Sequence, residues 1–239
     1  MARWCCLAAM LAGLIGCAHP EAGIGLDGSL VILRPMAGFS TARLSDDWMI
    51  AGTPPKTSPA AVSEDGQLSL RFEAGGKAYA LMRRVNAQLL ATPYLAWRWQ
   101  QLGAIGVRHP VRIVVGLADA GGKNRKGMFG RLLSHMTSTA MPDFDRSIIV
   151  SFGSSALMRG SLDASVEKSH RRGIARYVVR GGRENLKRWW NETVDLSNLH
   201  RLAWPGIDMR ATRIVYIGVT VQASAKPASG RFGEIRLSR

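Results

Sequence analysis

What most limits the fold of this chain is a rhythm of short apolar runs, four to ten residues long, each ended by a turn signal. The runs are "LVIL" (30–33), "LSLRF" (68–72), "AYALMRRV" (78–85), "YLAWRWQ" (94–100), "VRIVVGLA" (111–118), "SIIVSFG" (147–153), "ARYVVR" (175–180), "WNETVDL" (190–196), "RIVYIGVTVQ" (213–222) and "RFGEIRL" (231–237). Between them lie "TPPKTSP", "EDG", "AGGK", "ADAGGK", "RGGREN" and "AKPASG", stretches whose glycine, proline and small polar residues favour turns. Runs of this length and punctuation read as β-strands. Helical segments do not alternate with them, which argues against a parallel α/β sheet. The clearest helical period is in "GMFGRLLSHM" (127–136), where Phe129, Leu132, Leu133 and Met136 share one face while Arg131 and His135 lie elsewhere. The expected fold class is all-β: a single jelly-roll-type β-sandwich with one short inserted helix.

Two strands carry most of the aromatic signal. In "YLAWRWQ", Leu95, Trp97 and Trp99 fall on one face, with Tyr94, Ala96, Arg98 and Gln100 on the other. Two tryptophans on one face form either a binding platform or part of a sandwich core. In "RWWNETVDLSNL", Trp190, Glu192, Val194 and Leu196 alternate, and the polar residues that follow are expected to turn. Trp189 and Trp190 are adjacent, so one points in and one out. The exposed member of that pair is the better ligand-facing candidate. Trp48 and Trp204 also lie near loops or strand ends, which is compatible with a rim site. The candidate ligand-binding residues are therefore Trp189, Trp190, Trp97, Trp99 and Arg98.

All three cysteines, Cys5, Cys6 and Cys17, precede residue 18. The body that follows has no internal disulfide and no cysteine metal ligand. Arg3 precedes an apolar run from Trp4 to Gly16, shorter than the about 20 residues a spanning helix needs. Its length is that of a signal-peptide core. The run ends in "LIGC" (14–17), which resembles a bacterial lipobox. That resemblance implies cleavage after Gly16 and acylation of Cys17, and Ala18 in place of Asp implies the outer rather than the inner membrane. Two or more acyl chains anchor stably, because each buried methylene contributes about 0.8 kcal/mol. The expected organisation is a signal peptide (1–16), a tether from lipidated Cys17 (17–29) and a β-sandwich domain (30–239). The tether holds Gly23-x-Gly25-x-x-Gly28, but a dinucleotide fingerprint needs a strand before it and a helix after it, and neither is read here.

The closing strands resemble those of galactose-binding-like jelly rolls, the fold of many carbohydrate-binding modules. In those folds an aromatic-led strand ends in Asp-Leu, as Trp189 to Leu196 does here. The domain then closes on a pattern like Phe232-x-x-Ile235-x-Leu237. More narrowly, the span from "DDWMIAGTPP" (46–55) through "LAWRW" (95–99) to the end resembles a family of bacterial exported proteins known only as a domain of unknown function. That family often carries paired acids after its W-R-W strand and an Asp-rich segment near the last loop. Here those regions read "QLGAIGVRHP" and "QASAKPASG", without a carboxylate, so a site built on those acids is not expected in this chain.

The chain carries 32 Lys+Arg against 17 Asp+Glu, a formal net charge of +15 over 239 residues. Removing residues 1–16 would lose Arg3 and no acid, leaving about +14. Such a balance attracts anions: nucleic acid, anionic lipid, lipopolysaccharide or another acidic polymer. The basic stretches are "GGKNRKGMFGR" (121–131) and "EKSHRRGIARYVVRGGRENLKR" (167–188).

Motifs for catalysis are absent from the sequence. His19, His109, His135, His170 and His200 form no i,i+4 pair and no H-E-x-x-H, and there is no G-x-S-x-G elbow and no Walker A loop. Asp46, Asp47, Glu64, Asp65, Asp143 and Asp145 read as turn or loop residues. No catalytic residue, cofactor or metal site is expected. The expected function is non-catalytic binding of a glycan or anionic envelope polymer by an exported, lipid-anchored protein on the periplasmic face of the outer membrane. The expected partners are the membrane, through the N-terminal lipid, and that polymer. Nucleic acid is not expected, because no reading helix appears and the address is outside the cytoplasm. The alternatives are a polysaccharide hydrolase or lyase, and an envelope scaffold or assembly lipoprotein.

Overall fold

The computed structural model describes residues 25, 28–64, 66–119, 141–166 and 173–239. The signal segment, Cys17, most of the tether, the helix expected over 127–136 and the basic stretches 121–131 and 167–172 lie outside the described residues.

Two β-sheets face one another, a jelly-roll-type sandwich as expected. The first, sheet A, contains β1 (Leu30–Leu33), β3 (Ala60–Glu64), β4 (Gln67–Glu73), β6 (Tyr94–Gly103), β11 (Trp189–Asp195) and β13 (Ala228–Ser238). Its order is β11-β6-β13-β4-β3, with β1 also on β13. Sheet B contains β2 (Trp48–Gly52), β5 (Tyr79–Gln88), β7 (Val111–Asp119), β8 (Arg146–Gly153), β9 (Leu162–Val166), β10 (Gly173–Gly181) and β12 (Thr212–Val221). Its order is β2-β5-β12-β7-β8-β10-β9, antiparallel except where β10 runs parallel to β8. All ten runs picked out in the sequence form strands, the run 190–196 only as far as Asp195.

The inner faces meet in one core. Trp99 sits at its centre with ring contacts to Trp97 (5.5 Å, edge-on), Phe152 (6.2 Å) and Phe232 (6.0 Å). Phe72 packs edge-on against Phe232 at 5.5 Å, an arrangement that places the positive ring edge on the negative face. Arg83 fastens one sheet to the other. It pairs with the buried Asp47 at 2.6 Å and donates to the carbonyls of Val31 (2.9 Å) and Ile32 (3.3 Å) on β1.

The central strands of sheet B, β7 and β8, are buried on both faces. Met49, Ala51, Ala80, Met82, Val114, Ile149 and Tyr216 form a second apolar cluster with Met141 and Phe144. This explains why "VRIVVGLA" and "SIIVSFG" are continuous apolar runs and do not alternate. Glycine at 116 belongs to the same packing, because a Cβ there would lie 2.0 Å from the Tyr216 ring. Sheet A differs. In β6, Leu95, Trp97 and Trp99 are buried, while Tyr94, Ala96 and Arg98 on the other side are exposed or half-buried. The outer face of sheet A is therefore the polar one.

The helix α1 (Leu196–Ala203) stands where the sequence was expected to turn. Its N-cap is Asp195, whose carboxylate accepts from the Asn198 N–H at 3.0 Å and from the Ser197 hydroxyl at 2.6 Å. Leu196, Leu199, His200 and Ala203 are its buried face, at helical spacing.

Candidate ligand-binding face

The outer face of sheet A is built by alternation along three neighbouring strands. On β11 it presents Trp189, Asn191 and Thr193. On β6 it presents Tyr94, Ala96, Arg98 and Gln100, with Asn191 opposite Arg98 and Thr193 opposite Ala96. On β13 it presents Arg231, Glu234 and Arg236, with Arg236 opposite Ala96. The β13 register shifts between Phe232 and Ile235, a bulge that brings Gly233 beneath Arg98. A Cβ at 233 would meet the Arg98 Cβ at 3.3 Å, so glycine leaves the arginine room.

A groove of about 300 Å³ results, lined by Ala96, Arg98, Asn191, Thr193, Glu234 and Arg236. The small side chain of Ala96 makes the depression. Arg98 lines the groove and also lies over the Trp189 ring, 4.6 Å from its centroid. Stacking on the indole immobilises a guanidinium whose donors suit carboxylate, sulfate or phosphate.

The carboxylates of this face are paired. Glu234 meets Arg34 at 2.8 Å, Glu73 meets Arg71 at 2.7 Å, and Glu64 is engaged by Arg231. Glu192 borders the groove, but its carboxylate is buried and held by Arg180 between the sheets. Arg180 in turn lies over Trp190 at 3.6 Å.

These positions sort the five residues named from sequence. Trp189 and Arg98 are together on the outer face. Trp190 turns inward, packs against the core and donates from its indole N–H to the Asn185 carbonyl at 3.0 Å. Trp97 and Trp99 are corrected: they are 3% and 0% exposed and fill the core, so neither offers a stacking face to a ligand. The reason is sheet geometry, since the face they share is the one that meets Phe152 and Phe232. Sequence reasoning did not single out Asn191, Thr193 or Arg236, although the alternation already read along β11 places the first two beside Trp189.

A second polar cluster lies inside the sandwich, at the end where β7 and β12 meet. Arg146 is fully buried, forms a two-pronged pair with Asp119 and lies over Trp204 at 5.7 Å. Thr212 donates to the same carboxylate at 2.9 Å. Burial would raise the Asp119 carboxyl, but the Arg146 guanidinium and the Thr212 hydroxyl outweigh it and hold it below the ordinary carboxylate range. His200 is fully buried beside this group, 5.3 Å from the Trp204 ring, and burial followed by the Arg146 charge pushes its pKa down to about 4. The cluster is closed to solvent at His200 and Arg146, while the Asp119 side chain is 26% exposed. Among the described residues no group of three or more His, Cys, Asp and Glu is placed to hold a metal ion.

No family model matches this chain, and no curated protein does. Solved structures of layered β-proteins do. Endoglucanase 3 of Trichoderma harzianum, from glycoside hydrolase family 12, aligns over 92% of this chain and 96% of its own, at 9% identity and a TM-score of 0.40. A family 11 carbohydrate-binding module from Clostridium thermocellum, solved with a mixed-linked tetrasaccharide, aligns over 90% and 97%, at 11% identity and 0.40. A family 30 carbohydrate-binding module aligns over 88% and 98%, at 12% identity and 0.42.

Proposed function

We propose that this protein is an envelope protein, anchored by lipid on Cys17 at the periplasmic face of the outer membrane, that binds an acidic glycan across β11, β6 and β13 without cleaving it. The observation that carries the binding reading is Arg98, which stacks on Trp189 and also lines the groove. An aromatic surface beside a few convergent polar groups is what a sugar site needs. Arg98 and Arg236 supply charge for a uronate, sulfate or phosphate, and Asn191 and Thr193 supply hydrogen bonds for hydroxyls. Binding is favoured over hydrolysis because glycoside cleavage uses two carboxyl groups, one of them free to donate a proton. On this face Glu234, Glu73 and Glu64 are each held by an arginine, and Asp195 at the end of β11 is engaged as the cap of α1.

The test is titration of the whole chain with polygalacturonate, alginate, lipopolysaccharide, peptidoglycan fragments and a neutral glucan. Tight binding to an acidic glycan is expected, weakened at least about tenfold by Arg98→Ala and by Trp189→Ala, the loss of one charged contact or one stacking ring. A folded protein that binds none of them, or binds unchanged in both variants, overturns the reading. The anchor has its own measurement. Cys17→Ser should release the protein from membranes and abolish labelling by a lipid precursor, and a variant that still labels refutes acylation at that residue.

A further inference from the structure

The sandwich has two ends. At one, β6 finishes at Gly103, and the loops near 75, 104–110, 154–160, 182–188 and 222–227 are tied together by backbone hydrogen bonds. The Ser154 N–H donates to the Val107 carbonyl at 3.1 Å, the Gly182 N–H to Gly153 at 3.1 Å, the Lys187 N–H to Gln101 at 2.9 Å, the Ala104 N–H to Pro227 at 2.9 Å and the Ser224 N–H to Gly75 at 2.9 Å. Two aliphatic side chains stand out from this end into solvent. Leu157 is 96% exposed and Val107 is 70% exposed, more than any other large apolar residue described. Leu157 is the middle residue of a single 3-10 turn, Ala156–Met158, capped by the Ser155 hydroxyl, which accepts from the Leu157 N–H at 3.2 Å. The turn is ordered by its own cap and takes nothing from the Leu157 side chain.

Cations are carried on the same set of joined loops. Arg159 follows the turn, Arg183, Lys187 and Arg188 sit on the loop bonded to Gly153, and Lys77 and Lys226 sit on the joined loops beyond. All six are exposed. Glu184 is the one acid in those five loops. The exposed apolar part of the tip is aliphatic. A soluble polyanion would satisfy the charges and offer nothing to Leu157 and Val107. A bilayer of anionic lipid would satisfy both, with headgroups meeting Lys and Arg while the two aliphatic side chains enter the acyl boundary.

We propose that this loop end is a membrane-docking tip for an anionic lipid surface. It is separate from the groove on sheet A. It is also far from the first described residues, because Gly28 lies against the Arg239 side chain and Leu30 pairs with Leu237, at the opposite end of β13 from Ala228. The tip is therefore a second attachment, independent of any lipid at the N-terminus.

The experiment uses the whole chain with Cys17→Ser, to remove the acylation site, and vesicles of phosphatidylcholine alone or in equimolar mixture with phosphatidylglycerol. Co-sedimentation with the anionic vesicles is expected, falling steeply with salt and reduced about tenfold or more by Leu157→Asp combined with Val107→Asp. Both positions are exposed, so an unchanged melting temperature shows that the variant is folded. In a second measurement Cys5 and Cys6 are also changed to Ser, and a polarity-sensitive fluorophore is placed on Leu157→Cys. Its emission should shift to the blue on anionic vesicles and stay unchanged with dextran sulfate. Vesicle binding that survives loss of both aliphatic residues overturns the proposal. So does a fluorophore that stays in water, or a failure to bind the anionic vesicles. None of these outcomes depends on Arg98 or Trp189, so failure here leaves the glycan reading to its own test.

Discussion

Acidification from about pH 6.5 towards 4 should destabilise this protein, because two histidines are buried as neutral rings. His109 and His200 are both fully buried, and burial is the largest cause that pushes each from the usual 6.5 to about 4. The His109 ring is fixed in one tautomer. Its Nδ1 accepts from the Val111 N–H at 3.2 Å, which leaves Nε2–H to donate to the Leu102 carbonyl at 3.1 Å. Protonating Nδ1 would set one N–H against another. At His200 burial is joined by the Arg146 charge, which repels an imidazolium. The unfolded chain takes up both protons as pH falls through about 6.5, and the folded chain does not until about 4. Stability is thus complete above that upper value and is lost as pH falls between the two. At about pH 4.5 the loss is about 2–3 kcal/mol for each ring and about 5 kcal/mol for the pair. A domain of this size has about 5–15 kcal/mol in all. Urea unfolding followed by tryptophan fluorescence across that range measures the slope. His200→Leu keeps an apolar side chain of similar size on the inner face of α1 and should remove about half of it. Asp119 contributes separately: its folded carboxyl is held below the ordinary value, so its share is present above about pH 4 and is lost only below that. An unfolding midpoint that is flat between about pH 6.5 and 4.5, or a slope as steep in His200→Leu as in the parent, refutes the assignment.

Two stability measurements probe the interior. Glu192→Leu strands the Arg180 guanidinium between the sheets and should cost about 3–5 kcal/mol by thermal unfolding, most of it recovered in Glu192→Leu with Arg180→Leu. A double variant no more stable than the single one would show that the charge of Arg180 is not what the pair neutralises. Trp99→Ala should cost about 3–5 kcal/mol, because its ring touches Trp97, Phe152 and Phe232 at once. Trp189→Ala should cost far less stability while weakening glycan binding, and a reversal of that order would contradict the division of the tryptophans between core and surface.

The strands legible in the sequence were those with a long apolar or alternating run. β2, β3 and β9 were not picked out, and each has only five residues. In β3, "AAVSE" presents three half-buried and two exposed residues, so burial leaves little trace in its composition. The helix α1 was hidden by continuity. Val194 and Leu196 extend the period-2 pattern of β11, and the switch to helical spacing shows only when Leu199, His200 and Ala203 are counted with Leu196. Along β6 the alternation correctly put Trp97 and Trp99 on one face, but which face meets the second sheet is a tertiary fact. The Asp119, Arg146, His200 and Thr212 cluster left no local signal, because its members come from four separate elements and meet only after the sheets close.

A net charge of +15 identified no partner, and the structure shows why the sum is a poor guide. Part of the positive charge is internal: Arg146, Arg180 and Arg83 answer Asp119, Glu192 and Asp47 between or beside the sheets. Part is balanced on the outer face of sheet A, where Arg231, Arg71 and Arg34 meet Glu64, Glu73 and Glu234. Among the described residues, a further six exposed cations, Arg159, Arg183, Lys187, Arg188, Lys77 and Lys226, lie on the loops of the end that carries Leu157. These populations respond differently to salt. Buried pairs are screened little, and exposed charges lose their reach beyond about 8 Å at physiological ionic strength. Raising salt should therefore weaken vesicle docking more steeply than glycan binding, because Arg98 is held against Trp189 and meets its ligand at contact distance. The unfolding midpoint at neutral pH should move little over the same range. If glycan binding instead falls as steeply as vesicle docking, the sugar is being held by diffuse charge and not by the Arg98–Trp189 stack.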